Sequence, residues 1–505
     1  MFISTLAFIP FALAASNWTV YTSNGPITGH TTGDVVEYLG IPYAEPPLGS
    51  LRFMPPQKLT RRRPDCPRLS SRTFNYTYLT AQAPAILAAF TGETGSLQSE
   101  DCLTLNIWSK PARSRDKPVF VFFYGGRFAG GNTDTPFWNG RHFAAAEDII
   151  VVTVNYRTNI LGFPGSCTPG SSGCVQNLGL RDQRLAVEWI RDNIAAFGGD
   201  AQKIIIAGQS AGAVSVDYWA YAYKQDPIVA GLIMQSGTAL SFPLNSPEHT
   251  TAAWRSVVRA VGCDGSDEIY CMQQKDWEDI RTAAAEVKPD NNTNTNPLRS
   301  TPAFYPAVDN ETVFADYPAL NKKGLFAKLP ILIGHNDKEE GYYALSSLSN
   351  GINALPTETQ LTDFHLASFT CPIAAQANAR TAHNVPVWQY RYFANWTNAQ
   401  LYTSTNNNSN DSSVLAALRG AYHGSELFML FGTSGDVTGL EPSEAEKQMT
   451  QTIQRAWAVF CDRPRDGLSR EMQWRMFSRG ELVRLGYRDS PTPDFVRADL
   501  YGVCG

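Results

Sequence analysis

From Pro118 onward the sequence alternates short, continuously apolar runs with longer amphipathic stretches, and this alternation narrows the choice of folds more than any other feature. Val119-Phe120-Val121-Phe122-Phe123-Tyr124 and Ile149-Ile150-Val151-Val152-Thr153-Val154 are rich in β-branched and aromatic residues and have no polar alternation. Residues 180–197 follow at helical spacing, with Leu185, Val187, Trp189, Ile190 and Ile194 supplying the apolar positions. Lys203-Ile204-Ile205-Ile206-Ala207 reads as a strand, residues 213–222 as a helix, and Gly231-Leu232-Ile233-Met234 and Pro330-Ile331-Leu332-Ile333-Gly334 as two further strands. Strands that are apolar on both faces need cover on both faces, so the expected class is α/β, a large sheet flanked by helices.

The rest of the composition limits where such a protein works. With 42 Lys+Arg against 47 Asp+Glu, a net charge of −5 offers no basic footprint for nucleic acid. The short basic cluster at Arg61-Arg62-Arg63 reads as a solvated loop. The first 33 residues carry no Asp, Glu, Lys or Arg, and an apolar run ends in Ala12-Leu13-Ala14 before Ser16. We therefore expect residues 1–15 to be a secretory signal peptide and residues 16–505 a single domain, exported and without a transmembrane anchor. Glycosylation sequons stand at Asn17, Asn75, Asn291, Asn310, Asn395, Asn407 and Asn410. Nine cysteines suit an oxidising compartment. Cys263 with Cys271 and Cys167 with Cys174 are close enough to close small loops, and Cys66 with Cys102 a longer one. Cys371, Cys461 and Cys504 stay unassigned, and an odd total leaves at least one thiol unpaired. No cysteine lies in a reactive-thiol motif, and no cluster has metal-ligand spacing.

The chemistry concentrates at Gly208-Gln209-Ser210-Ala211-Gly212, between the 204–206 strand and the helix that follows. A serine on a sharp strand-to-helix turn projects its hydroxyl from the sheet edge, beside the free N–H groups of the helix N-terminus. Serine needs a base, and the base needs an orienting acid. Of seven histidines, His423 stands in a loop before an apolar stretch, and Glu340 follows the 331–333 strand directly before Gly341. The order Ser210, Glu340, His423 is that of an α/β-hydrolase, nucleophile first and histidine last.

At this point the sequence resembles the type-B carboxylesterase/lipase family, which includes cholinesterases and neuroligins, over nearly all of the mature chain. The resemblance begins at Tyr38-Leu39-Gly40-Ile41-Pro42-Tyr43-Ala44 and runs through Pro46-Pro47-Leu48-Gly49 and Leu51-Arg52-Phe53. It continues with Ser99-Glu100-Asp101-Cys102-Leu103-Thr104-Leu105-Asn106, Asn177-Leu178-Gly179-Leu180-Arg181-Asp182-Gln183 and Phe197-Gly198-Gly199-Asp200. Asn336-Asp337-Lys338-Glu339-Glu340-Gly341 resembles the acid motif, which selects Glu340 over Glu339, and His423-Gly424 resembles the histidine motif. The resemblance implies an α/β-hydrolase fold with a large mixed central sheet, a small-molecule ester substrate, no cofactor and no metal. It also implies an oxyanion hole built from the backbone N–H groups of Gly126, Arg127 and Ala211, because Tyr124-Gly125-Gly126-Arg127-Phe128 occupies the place of the family's glycine loop.

Two departures stand out. Arg127 replaces a glycine and can serve the hole only if the loop does not require positive φ there. Gln209 replaces a common glutamate, and the stretch between Cys66 and Cys102 has no tryptophan to bind a quaternary ammonium, which argues against a cholinesterase. Arg52 with Glu100 and Arg157 with Asp182 look like the family's buried ion pairs. Glu426 and Ser236 are expected to support the site from behind. The reading is a serine carboxylesterase acting through an acyl-serine. A lipase is the nearest alternative, with residues 81–90 as a lid, and a non-catalytic adhesion protein is the alternative from another class. Oligomeric state is not legible.

Overall fold

A computed structural model describes residues 18–58, 78–92, 95, 97–111, 116–165, 176–265, 267–289, 296–351, 354–403, 413–502 and 504. Residues 1–15, Cys66, Cys167, Cys174 and the sequons at Asn17, Asn75, Asn291, Asn407 and Asn410 lie outside the described residues.

The apolar runs form the middle of a 12-stranded mixed sheet. In chain order the strands are β1 (Trp18–Thr22), β2 (Gly25–Thr32), β3 (Val35–Pro42), β4 (Thr104–Ser109), β5 (Lys117–Phe123), β6 (Ile150–Val154), β7 (Gly199–Gln209), β8 (Gly231–Gln235), β9 (Ile331–Asn336), β10 (Val387–Tyr392), β11 (Glu481–Leu485) and β12 (Asp494–Arg497). Their spatial order is β1-β2-β3-β4-β6-β5-β7-β8-β9-β10-β11-β12. From β6 through β11 every neighbouring pair is parallel, while β1 to β4 at one end and β12 at the other pair antiparallel.

Continuous apolar sequence and parallel pairing go together. Residues 119–123, 204–206 and 331–333 are fully buried, since crossover helices cover both faces of parallel strands. The crossovers include the helix Leu178–Asn193 after β6 and the helix Ala211–Ala222 after β7, both close to where the apolar spacing predicts them. The latter is anchored from behind: Asp217 accepts from Arg380 at 2.9 Å, Gln376 at 2.6 Å and the Ala239 amide at 2.8 Å.

The expected ion pairs form. Arg52 grips Glu100 through two bonds of 2.5 and 2.6 Å, and Arg157 grips Asp182 at 2.8 and 2.7 Å. Cys263 and Cys271 are bridged as expected, and Cys371 joins Cys504 across 133 residues of sequence. Cys102 is disulfide-bonded, and Cys461 is a buried free thiol. No helix among the described residues is long and apolar enough to cross a membrane.

Candidate active site

The turn after β7 places Ser210 in a conformation most residues avoid, φ 58° and ψ −124°, as the last residue before the helix Ala211–Ala222. Its amide donates to the Gln235 carbonyl at 2.8 Å, tying the turn to β8. Crowding explains the flanking glycine: a Cβ on Gly212 would sit 1.9 Å from the Phe123 carbonyl oxygen. Ala211 opens the helix, so its amide is among the orphan donors every helix N-terminus leaves.

Ser210 is 6% exposed and His423 1%. Two hydrogen bonds bring the histidine loop to the end of β9: the Lys338 amide donates to the Ala421 carbonyl at 2.9 Å, and the Asn336 side-chain Nδ2 donates to the Tyr422 carbonyl at 2.7 Å. His423 Nδ1 then lies 2.5 Å from a carboxylate oxygen, and that oxygen belongs to Glu339. The expected acid, Glu340, is turned away, and its Oε2 lies 2.7 Å from His365 Nδ1. The motif's Glu-Glu-Gly admits both residues. The chain starts a helical turn here, and successive helical residues point about 100° apart, so only one of the two can face His423. A sequence signal for Glu339 did exist: Asn336-x-x-Glu339 has the spacing with which a glutamate reaches back to an amide three residues earlier. Glu339 Oε1 does so, accepting from the Asn336 amide at 2.7 Å.

With Nδ1 committed to a carboxylate, the neutral ring carries its proton there and presents Nε2 as an acceptor. Two groups meet Nε2, the Gln209 amide nitrogen at 3.1 Å and the Tyr343 hydroxyl at 3.4 Å. The amide donates into the lone pair, a bond that a glutamate at position 209 could make only when protonated.

The loop after β5 runs alongside. Gly126 has φ 109°, and a Cβ there would stand 2.4 Å from the Gly130 carbonyl oxygen. Arg127 follows at φ 57° and Phe128 at φ 58°. The loop therefore does place position 127 at positive φ, and the arginine adopts it, so the expected condition was too strict: the side chain adds strain without taking the residue's amide out of the loop. The residue adopts the left-handed conformation at a cost of about 1–2 kcal/mol. Its guanidinium donates to the Ser300 carbonyl, and it lines a pocket with Ser210, Ala211, Val214, Phe242, Thr301, Tyr305 and Tyr343.

Glu426 accepts from Asn336 Nδ2 at 2.5 Å and from Gln235 Nε2 at 3.2 Å, a position behind the acid as expected. Burial first, then the neighbouring Glu339 charge, pushes its carboxyl up to about 7. Ser236 is buried at φ 56°, and its hydroxyl has no hydrogen-bond partner, so it does not act as the supporting group expected of it. The helix Ala83–Thr91, weighed as a lid, turns Ile86 and Leu87 into the core and sets Phe90 4.9 Å from the Tyr342 ring and 6.4 Å from that of His423, as part of the wall. Sequence reasoning weighed Glu339 and selected Glu340 over it, and it missed Tyr343 and the aromatic pocket. No group of metal-ligating side chains occurs among the described residues.

Comparison with known proteins places the fold in a family. The model of the carboxylesterase family matches residues 16–366. A chlorogenic acid esterase of Aspergillus niger is 33% identical over 89% of this chain and 83% of the relative. Secreted lipase 5 of Gibberella zeae is 30% identical over 99% of the chain and 97% of the relative. A solved structure of a PNB esterase superposes with a TM-score of 0.73 at 25% identity, covering 95% of this chain and 96% of that one.

Proposed function

The chain belongs to the carboxylesterase family and is a carboxylic ester hydrolase, and we propose that it works by acyl transfer through Ser210, with His423 as base and Glu339 as the orienting acid. The observation that carries this reading is the Glu339–His423 contact of 2.5 Å, which holds the ring by Nδ1 and leaves Nε2 as its acceptor, in a chain whose buried Ser210 sits on a strained strand-to-helix turn.

Ser210 Oγ attacks the ester carbonyl carbon, and its proton ends on His423 Nε2. Glu339 stabilises the imidazolium through Nδ1–H without taking the proton. The carbonyl oxygen, now an oxyanion, rests on the amides of Gly126, Arg127 and Ala211. When the tetrahedral species collapses, the ester C–O bond breaks and His423 returns the proton to the departing alcohol. Water then gives its proton to His423 and its oxygen to the acyl carbon, and Ser210 leaves protonated. The proposed setting is extracellular. Support comes from the disulfides Cys263–Cys271 and Cys371–Cys504 and from the secreted relative. Of the sequons within the described residues, Asn310 lies exposed on a turn and Asn395 is half-buried beside Asp489, so Asn310 is the better glycan acceptor.

The experiment is hydrolysis of p-nitrophenyl esters from acetate to palmitate by the purified mature chain, beside Ser210→Ala. Serine-dependent turnover that peaks at short chains supports a carboxylesterase of small esters, and a long-chain peak supports the lipase alternative. Serine-independent turnover, or none from folded protein, overturns the mechanism.

A further inference from the structure

We propose that Arg127 makes the pocket beside Ser210 an acyl site for anions, so that the preferred substrates are esters whose acyl chain ends in a carboxylate. This rests on the acyl-serine reading above and deepens it by naming the substrate class. Ser210 and Arg127 line one pocket, with Val214 and Phe242 as its apolar wall and Thr301 and Tyr305 as its hydroxyl-bearing wall. An acyl group bound at Ser210 thus has apolar side chains to lie against and a guanidinium in the same space. No Asp or Glu lines this pocket among the described residues. The guanidinium is fastened to the carbonyl of Ser300, the residue before Thr301. A neutral carbonyl orients the group without cancelling its charge. A guanidinium carries five N–H donors, enough to serve a carbonyl and a carboxylate together.

The backbone supplies an independent observation. Arg127 is held at φ 57°, which a glycine takes freely and an arginine only under strain. Strain of this kind clusters at ligand clamps and active sites, where the surrounding structure maintains it. An oxyanion hole uses backbone amides, so it has no need of an arginine. What the arginine adds over a glycine is its side chain, and that side chain stands in the pocket. Its planar fork matches the two oxygens of a carboxylate, and such charge-assisted bonds are the strong ones. With Ser210 6% and Tyr305 5% exposed, water and salt screen a pair formed here only weakly. The covalent chemistry is unchanged: water adds across the ester bond, and the products are the alcohol and a dicarboxylate.

The test pairs two ethyl esters of equal acyl length: ethyl hydrogen succinate, whose chain ends in a carboxylate, and ethyl levulinate, in which a methyl ketone replaces it. Ethanol release gives kcat/KM for each ester with wild type, Arg127→Gln, Arg127→Lys and Ser210→Ala. The quantity read is the ratio of the two kcat/KM values within one protein, so any loss common to both esters cancels. Wild type should favour the succinate ester by about 10- to 100-fold. Arg127→Gln should bring the ratio to within about twofold of one, and Arg127→Lys, which keeps the charge but not the fork, should retain part of the preference. Free succinate should also inhibit wild-type turnover of ethyl levulinate at about a tenth of the concentration that free levulinate requires. The two wild-type measurements decide the matter even where a variant does not fold. Equal or reversed preference in wild type, a ratio that survives Arg127→Gln, or equal inhibition by the two acids overturns the anion site. If Ser210→Ala is inactive on both esters, the acyl-serine reading survives that failure, whereas an active Ser210→Ala overturns both.

Discussion

Two buried glutamate–histidine pairs stand one residue apart at the end of β9, and they face different surroundings. Glu339 meets His423 at 2.5 Å and Glu340 meets His365 at 2.7 Å, and all four side chains are buried. By distance and burial the pairs are near equivalents. What separates them is what lies beyond each histidine. Nε2 of His423 meets the Gln209 amide at 3.1 Å and the hydroxyl of Tyr343, which lines one pocket with Ser210, whereas Nε2 of His365 faces the Arg391 guanidinium at 3.4 Å, itself held by Asp337. His335 packs against the His365 ring at 5.3 Å. An acid–histidine pair becomes a candidate catalytic device only when its far nitrogen has an acceptor's freedom and a nucleophile within reach, and the second pair has a cation there instead.

The largest expected effect breaks the comparison directly. Glu339→Gln should lower kcat by about 10³–10⁴-fold, as expected when the imidazole loses its fixed tautomer, while Glu340→Gln should leave kcat within tenfold. Glu340→Gln should instead reduce stability by about 1–3 kcal/mol, read by denaturant unfolding, because a buried charge-assisted bond is weakened. Equal losses of kcat in the two variants would show that the geometry assigns the acid wrongly.

A smaller effect concerns the third carboxylate, Glu426. Its folded value of about 7 lies above its ordinary 4.5, so the folded protein keeps a proton that the unfolded chain releases. The stability this confers is complete below about 4.5 and is lost as pH rises through about 7, a change of about 3 kcal/mol. Glu426→Gln should therefore flatten the decline in melting temperature between pH 5 and 8. His335 works in the opposite sense. Burial, the Arg391 charge and then His365 hold it well below its usual value, so its contribution is lost as pH falls below about 6.5. A Glu426→Gln melting temperature with the same pH dependence as wild type would contradict the Glu426 assignment.

The smallest effect concerns Arg127. Arg127→Gly relieves the left-handed backbone by about 1 kcal/mol and removes a cation from the pocket beside Ser210. Wild type should favour p-nitrophenyl hemisuccinate over the neutral butyrate, and the variant should lose about tenfold of that preference. Equal improvement of both esters would mean that the arginine only obstructs.

Much of this was legible in the sequence, and the division has a physical cause. Burial on both faces of a parallel strand leaves a continuous apolar run, so β5 to β9 and the helices between them could be read from local pattern. The elbow at Ser210 was legible because only particular residues tolerate its crowding and its dihedrals. The antiparallel strands β1 to β3 and the last strands in the chain, β10 to β12, carry weaker local signals and emerged only with the folded sheet. So did the pairing of Cys371 with Cys504, 133 residues apart. The sequence by itself determined the class of fold, the sharp turn that carries Ser210 and the loop that carries His423. Tertiary structure alone decided which of two adjacent glutamates faces His423, that the Tyr343 hydroxyl meets the far nitrogen of its ring, and that Arg127 adopts a glycine's conformation. Each of these depends on which way a side chain points from a turn, and direction in three dimensions is set by packing rather than by adjacency along the chain.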